Sequence, residues 1–138
     1  MNYKYLLDIS IISDLVRHPA GLVFQRISEI GDEKICTSIV VACELSFGVK
    51  KSGSTRLANQ LDKILDAIDI LALDVSCETY YAKIRYHLEQ AGLPIGPNDL
   101  LIAAHALTLN LIIVTANVRE FSRVPDLKVE NWLEVGTS

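Results

Sequence analysis

The sequence predicts an α/β fold with a central, mostly parallel twisted sheet, and three observations carry that expectation. The apolar runs Tyr-Lys-Tyr-Leu-Leu at 3–7, Ile-Cys-Thr-Ser at 35–38 and Leu-Ile-Ile-Val-Thr at 111–115 read as strands. The segments between them carry apolar residues at helical spacing. The order alternates strand and helix, which suits parallel strands: they need long crossovers, and burial on both faces makes them unbroken apolar runs.

Taken in order, the first strand runs into Asp8, and Ile11, Ile12, Leu15 and Val16 then follow helical spacing as far as the breaker cluster His18-Pro19-Ala20-Gly21. A second helix holds Leu22, Val23, Phe24, Ile27 and Ile30 and is closed by Gly31-Asp32. A strand at 34–37 leads to Ser38, which can cap a helix passing through Val41, Glu44, Leu45 and Val49 and ending near Ser52-Gly53-Ser54. Leu57, Leu61, Ile64, Leu65 and Ile68 form one apolar stripe, Ile-Asp-Ile-Leu-Ala-Leu is a short strand, and helical spacing resumes from Val75 to Gln90. On that helix Tyr80, Tyr81, Ile84 and Leu88 are suited to bury against another helix or a second subunit. Gly92 ends it, and the turn-rich Leu93-Pro94-Ile95-Gly96-Pro97-Asn98 brings Asp99 to the start of a nearly all-apolar helix. The last strand then delivers Ala116 and Asn117.

The 138 residues, half of them hydrophobic, suit one domain spanning 1–138 with a full core. No apolar stretch approaches the roughly 18 residues of a membrane span, and the run after Met1 is too short for a signal-peptide core. A soluble, cytoplasmic chain without membrane contact is expected. The three cysteines, Cys36, Cys43 and Cys77, are odd in number, lack CxxC spacing and read as free thiols in a reducing compartment. A net charge of −4 has the wrong sign for a module that binds nucleic acid by blanketing phosphates. A bound divalent ion would reverse the local field, and Arg17-His18, Lys50-Lys51 with Arg56, Lys83 with Arg85, and Arg119 with Arg123 could line a groove or simply be solvated faces.

Asp8, Glu44, Asp99 and Asn117 each stand where a strand ends or a helix begins. Open parallel sheets gather ligands beyond the carboxyl ends of their strands, so these four are expected at one edge. Carboxylates brought together there would repel by roughly 4 kcal/mol per pair at about 4 Å and an effective dielectric near 20, and a divalent cation is the simplest relief. Glu44 lies among apolar residues with no basic partner at 40, 41, 47 or 48. For Asp99 the competing role is as an N-cap, alone or through Asn98, but the apolar helix behind it implies a polar start that faces something specific. His87 and His105 stand singly and offer no zinc-ligand pair. The oxygen-only set suits magnesium, with manganese as the alternative. No GxGxxG, no GxxxxGK[ST] and no serine-histidine-acid arrangement competes with metal chemistry.

The segments YLLDISIISDLVRHP, TSIVVACELSFGVKKS, GLPIGPNDLLIAAHAL and VTANVREFSRVPDLKVENW together resemble a PIN-domain ribonuclease of the VapC toxin type, over nearly the whole chain. The resemblance implies a single PIN domain, folded as a three-layer α/β/α sandwich. It implies the toxin of a type II toxin-antitoxin system: a magnesium-dependent endoribonuclease hydrolysing phosphodiester bonds of transfer or ribosomal RNA. Carried over by position, Asp8 and Asp99 are the principal metal ligands, Glu44 the third acidic residue, and Asn117 the fourth site position beside Thr115. Also implied are a cognate VapB-type antitoxin, a homodimer, and DNA contact only through the antitoxin. Asp8-Ile9-Ser10 stands where the family commonly has Asp-Thr-Asn, which is expected to loosen the site. The alternative function is therefore a catalytically lapsed PIN-fold protein that acts by binding an antitoxin-like partner. Asp126, following Pro125 where such proteins often carry glycine, is expected to give a type I turn.

Overall fold

In the computed structural model, which describes residues 2–134, Tyr5–Leu7 form a strand, β1, whose three consecutive side chains are all buried. Since neighbouring strand residues point to opposite faces, β1 must be covered on both. α1 (Ile9–Arg17) follows without a loop and buries Ile11, Ile12, Leu15 and Val16, the stripe its spacing predicts. α2 (Leu22–Ile30) ends at Gly31, whose φ of 102° favours glycine. A 3-10 turn at Asp32–Lys34 leads into β2 (Ile35–Ser38), buried throughout. Ser38 then caps α3 (Ile39–Ser52), its hydroxyl accepting from the Val40 N–H, and Gly53 closes that helix at φ 67°.

Ser54 caps α4 (Thr55–Ala67) in the same way, and a short strand, β3 (Asp69–Leu71), follows it. α5 (Cys77–Gln90) packs on α6 (Pro97–Thr108), and β4 (Ile112–Val114), a single helical turn, α7 (Val118–Phe121), and β5 (Val129–Glu130) complete the described chain. The five strands make one sheet in the order β3-β2-β1-β4-β5, and every neighbouring pair is parallel. The chain moves outward from β1 to β3, then crosses to β4 on the other side of β1. The order therefore reverses between β1 and β4, and a crevice at their carboxyl ends is where such sheets bind ligands.

Four expectations change. β5 has only two residues and half-buried alternation, too little for a sequence pattern to register. Helix α6 takes Gly96 as its N-cap and Pro97 at its first position, so neither Asn98 nor Asp99 is a cap. Tyr80 is exposed, whereas Ile84 and Leu88 belong to the core. The turn at Val124-Pro125-Asp126-Leu127 is closed by a Leu127 N–H to Val124 carbonyl bond of 3.4 Å, with Asp126 at φ 66°. A positive φ at the third position belongs to a type II turn, and the short polar side chain of aspartate tolerates it better than most. No helix among the described residues is long and apolar enough to cross a membrane.

Candidate active site

β1 ends on Asp8, whose backbone N–H donates to the Val114 carbonyl at 2.9 Å, so the carboxylate leaves the sheet at the point where the strand order reverses. Asp8 is only 4% exposed. From the neighbouring strand end, the Thr115 hydroxyl donates to its Oδ2 at 2.8 Å, while Oδ1 is buried without a formed hydrogen bond. Burial raises the Asp8 pKa, and Thr115 and the Ile9 backbone pull it back. An unpartnered carboxylate oxygen in a dry position is costly, and it is the kind of atom a hard cation satisfies.

Thr115 does two jobs, because its oxygen also accepts the Asn117 N–H at 3.0 Å and so shapes the loop after β4. The same loop is held from α1: Ser10 Oγ accepts the Ala116 N–H at 3.0 Å. Serine at this position therefore keeps a hydrogen-bonded tie between α1 and the loop.

Asp99 sits in the third position of α6, where the helix dipole favours negative charge. Its pKa is nevertheless pushed up to about 7, first by burial, then by a hydrogen bond and charge repulsion with Glu120, then by the charges of Asp8 and Glu44. That order of causes places Asp8, Glu44, Asp99 and Glu120 in one electrostatic neighbourhood. Glu44, the sixth residue of α3, is half-buried, and the exposed Asn98 amide donates to its Oε1 at 2.5 Å. The polar partner that its own helix lacks comes from the neighbouring one.

Glu120 is the residue that sequence reasoning passed over. Its Oε1 accepts the Gly96 N–H at 3.1 Å, its Oε2 accepts from the Asn117 side-chain amide, and it shares a hydrogen bond with Asp99. Although Arg119 precedes it in sequence, the two form no ion pair among the described residues. Asn117 is exposed, and its side-chain amide bonds Glu120. The signal available in the sequence was an acid three residues beyond Asn117, at helical spacing from it.

Among the described residues, no three histidine, cysteine, aspartate or glutamate side chains stand ready to hold one ion at the same time. Each carboxylate instead takes local donors: Thr115 for Asp8, Asn98 for Glu44, and Gly96 with Asn117 for Glu120. The set still fits a hard divalent ion, on the orphaned Asp8 Oδ1 and on the repulsion that holds a proton on Asp99 near neutrality. Arg123 is spent on the Pro94 carbonyl at 3.1 Å, whereas Arg119 is exposed on α7 and forms no ion pair among the described residues.

The family model for the PIN domain matches residues 5–127. The chain is 38% identical to a protein named Ribonuclease VapC2 from Rickettsia felis over 130 residues, covering 93% of this chain and 97% of that protein. It is 36% identical to a tRNA(fMet)-specific endonuclease VapC from Shigella flexneri, covering 94% and 98%. Among solved structures, it matches the VapBC2 complex from Rickettsia felis bound to a promoter DNA fragment with a TM-score of 0.85 at 36% identity, covering 93% of this chain and 98% of that one. DNA-bound VapBC from Salmonella typhimurium gives the same TM-score at 28% identity, covering 94% and 98%.

Proposed function

This chain belongs to the PIN-domain family, and on that premise we propose that it is a metal-dependent endoribonuclease, the toxin half of a toxin-antitoxin pair. What supports the reading is the buried, half-partnered Asp8 at the switch point of the sheet, whose charge acts on Asp99 together with those of Glu120 and Glu44. Asp8 and Asp99 hold the ion, Glu44 assists, and Asn117 acts by fixing Glu120. Magnesium is the ion proposed, with manganese able to replace it, since both prefer oxygen donors. The ion, when bound, neutralises charge on the scissile phosphate and acidifies the attacking water.

The protein's own residues supply the rest. The Thr115 hydroxyl fixes one oxygen of Asp8 and leaves the other free to coordinate. Glu120 raises the charge density that draws a cation in, and its contact with Gly96 anchors the α6 N-terminus. Arg119, exposed beside the site on α7, is placed to meet a backbone phosphate. The substrate is RNA, and the activity named for the Shigella flexneri relative makes transfer RNA the first to test. The partner complexes among the structural relatives support a VapB-type antitoxin for this chain, with DNA reached through that partner and a homodimer as the toxin unit. The proposed unit is a single PIN domain over 1–138. The Ser10 to Ala116 bond, which ties α1 to the site loop, supports the active reading over a lapsed, binding-only protein.

The test is incubation of antitoxin-free protein with total RNA and magnesium or manganese, with and without chelator. Chelator-sensitive cleavage that disappears in Asp99→Asn and Asp8→Ala supports the reading. Folded protein that cleaves nothing and gains no stability from metal favours the binding-only alternative.

A further inference from the structure

His105 is 1% exposed, six residues beyond Asp99 on α6, and no role described so far uses it. Its Nδ1 lies 2.8 Å from the Oγ of Ser38, the buried cap of α3. That hydroxyl already accepts the Val40 N–H, so its own hydrogen is free to be donated to Nδ1 of a neutral ring. Burial lowers the histidine's pKa and keeps it neutral. The Ala72 backbone acts on the ring in the opposite sense to burial, but Nε2 makes no formed hydrogen bond among the described residues, so the Ser38 contact is the ring's formed tie to α3.

A second bridge between the same two helices stands at the other end. Asn98, seven residues before His105 on α6, donates to Glu44, six residues after Ser38 on α3. At 1.5 Å per residue the bridges are about 9–10 Å apart along antiparallel helices. Val41, Ala42 and Leu45 seat α3 in the core by apolar contact, while elsewhere on the helix Cys43 is exposed, Phe47 is 63% exposed and a side chain at Gly48 would meet nothing within 4 Å. Polar ties between packed helices set register in a way that apolar contact does not.

We propose that His105 is a positioning residue: its bond to Ser38, paired with the Asn98 contact, locks the register of α3 on α6 and so fixes where the Glu44 carboxylate stands relative to Asp99. This rests on the reading of Glu44 as a metal ligand, and it assigns to the far end of α6 control over how well the site holds its ion.

Calorimetric titration of full-length, antitoxin-free protein with Mn²⁺ tests it, beside urea denaturation in chelator. His105→Leu keeps the bulk and removes the acceptor, and the expected result is Mn²⁺ binding weakened roughly 10–100-fold, while His105→Asn, which puts an amide oxygen near the Nδ1 position, returns it to within about threefold of wild type. A merely structural role would lower the urea midpoint and leave Mn²⁺ affinity unchanged in His105→Leu, and that result overturns the proposal. Should His105→Leu not fold, Ser38→Ala in the same titration decides by the same criterion. Glu44→Gln separates the premises: if it binds Mn²⁺ as tightly as wild type, the ligand reading of Glu44 fails and the positioning claim with it. If it binds weakly while His105→Leu is unaffected, only the positioning claim fails.

Discussion

Replacing Glu120 by glutamine should make the metal-free protein less sensitive to rising pH. Asp99 is held near a pKa of about 7 in the folded protein, against 3.8 as its ordinary value, by burial first and by Glu120 next. A carboxyl whose folded pKa is raised binds more protons folded than unfolded across that interval, so its contribution to stability is present below about pH 4 and is lost as pH climbs through about 7. At ~1.36 kcal/mol per pH unit, a span of about three units sets a ceiling near 4 kcal/mol, and solvent screening of a half-exposed group brings this to on the order of 2 kcal/mol. Glu120→Gln removes the nearest like charge and keeps an oxygen for the Gly96 N–H, so about half of the loss should vanish. Urea denaturation in chelator at pH 5 and pH 8 measures it, with Asp99→Asn as the variant that should show no such fall. Magnesium added at pH 8 should restore the wild type, since ion binding replaces the proton. Equal stability of the metal-free wild type at both pH values would refute the electrostatic account of this cluster, as would an unchanged fall in Glu120→Gln.

Thr115→Val should lower stability by about 1–3 kcal/mol by urea denaturation, because it strips a buried carboxylate and the Asn117 N–H of one shared partner, and RNA cleavage should fall with it. Ser10→Ala should release the Ala116 N–H and cut cleavage roughly tenfold while altering stability by only about 1 kcal/mol; Ser10→Asn, which keeps a hydrogen-bonding oxygen, should retain activity in the same gel assay. Asp126→Gly should raise the thermal midpoint by a few degrees without touching cleavage, since φ 66° costs an L-residue roughly 1 kcal/mol that glycine does not incur.

The three acids at 8, 44 and 99 were legible because each interrupts an apolar pattern, and a charge in such a setting needs a reason that sequence alone can register. Glu120 was not legible because it follows Arg119, and a neighbouring opposite charge in sequence looks like a surface pair until the backbone shows which way each side chain leaves the turn. Asn98 was taken for a cap candidate. Capping depends on backbone dihedrals, and Gly96-Pro97 started the helix two residues earlier than the polar cluster suggested. The parallel sheet was readable from β1, β2 and β4, whose burial on both faces writes unbroken apolar runs, and β3 from the short run Ile-Asp-Ile-Leu-Ala-Leu, whereas β5 is a two-residue edge strand whose half-buried residues leave no signature. At Asp126 the residue type pointed to one turn and the closing geometry chose another, because a fixed chain crossing can outweigh a preference of roughly 1 kcal/mol.

The crossing that puts β4 beside β1 has a bearing on how such an enzyme is made. Asp8 leaves the ribosome more than a hundred codons before Thr115 and Glu120, which complete its surroundings. A nascent chain therefore carries an unfilled sheet edge and no assembled nuclease until β4 and α7 have emerged, since contacts this distant form only once the intervening loop has closed. The topology delays potency by that interval, and it gives a folding partner the same time in which to meet the chain.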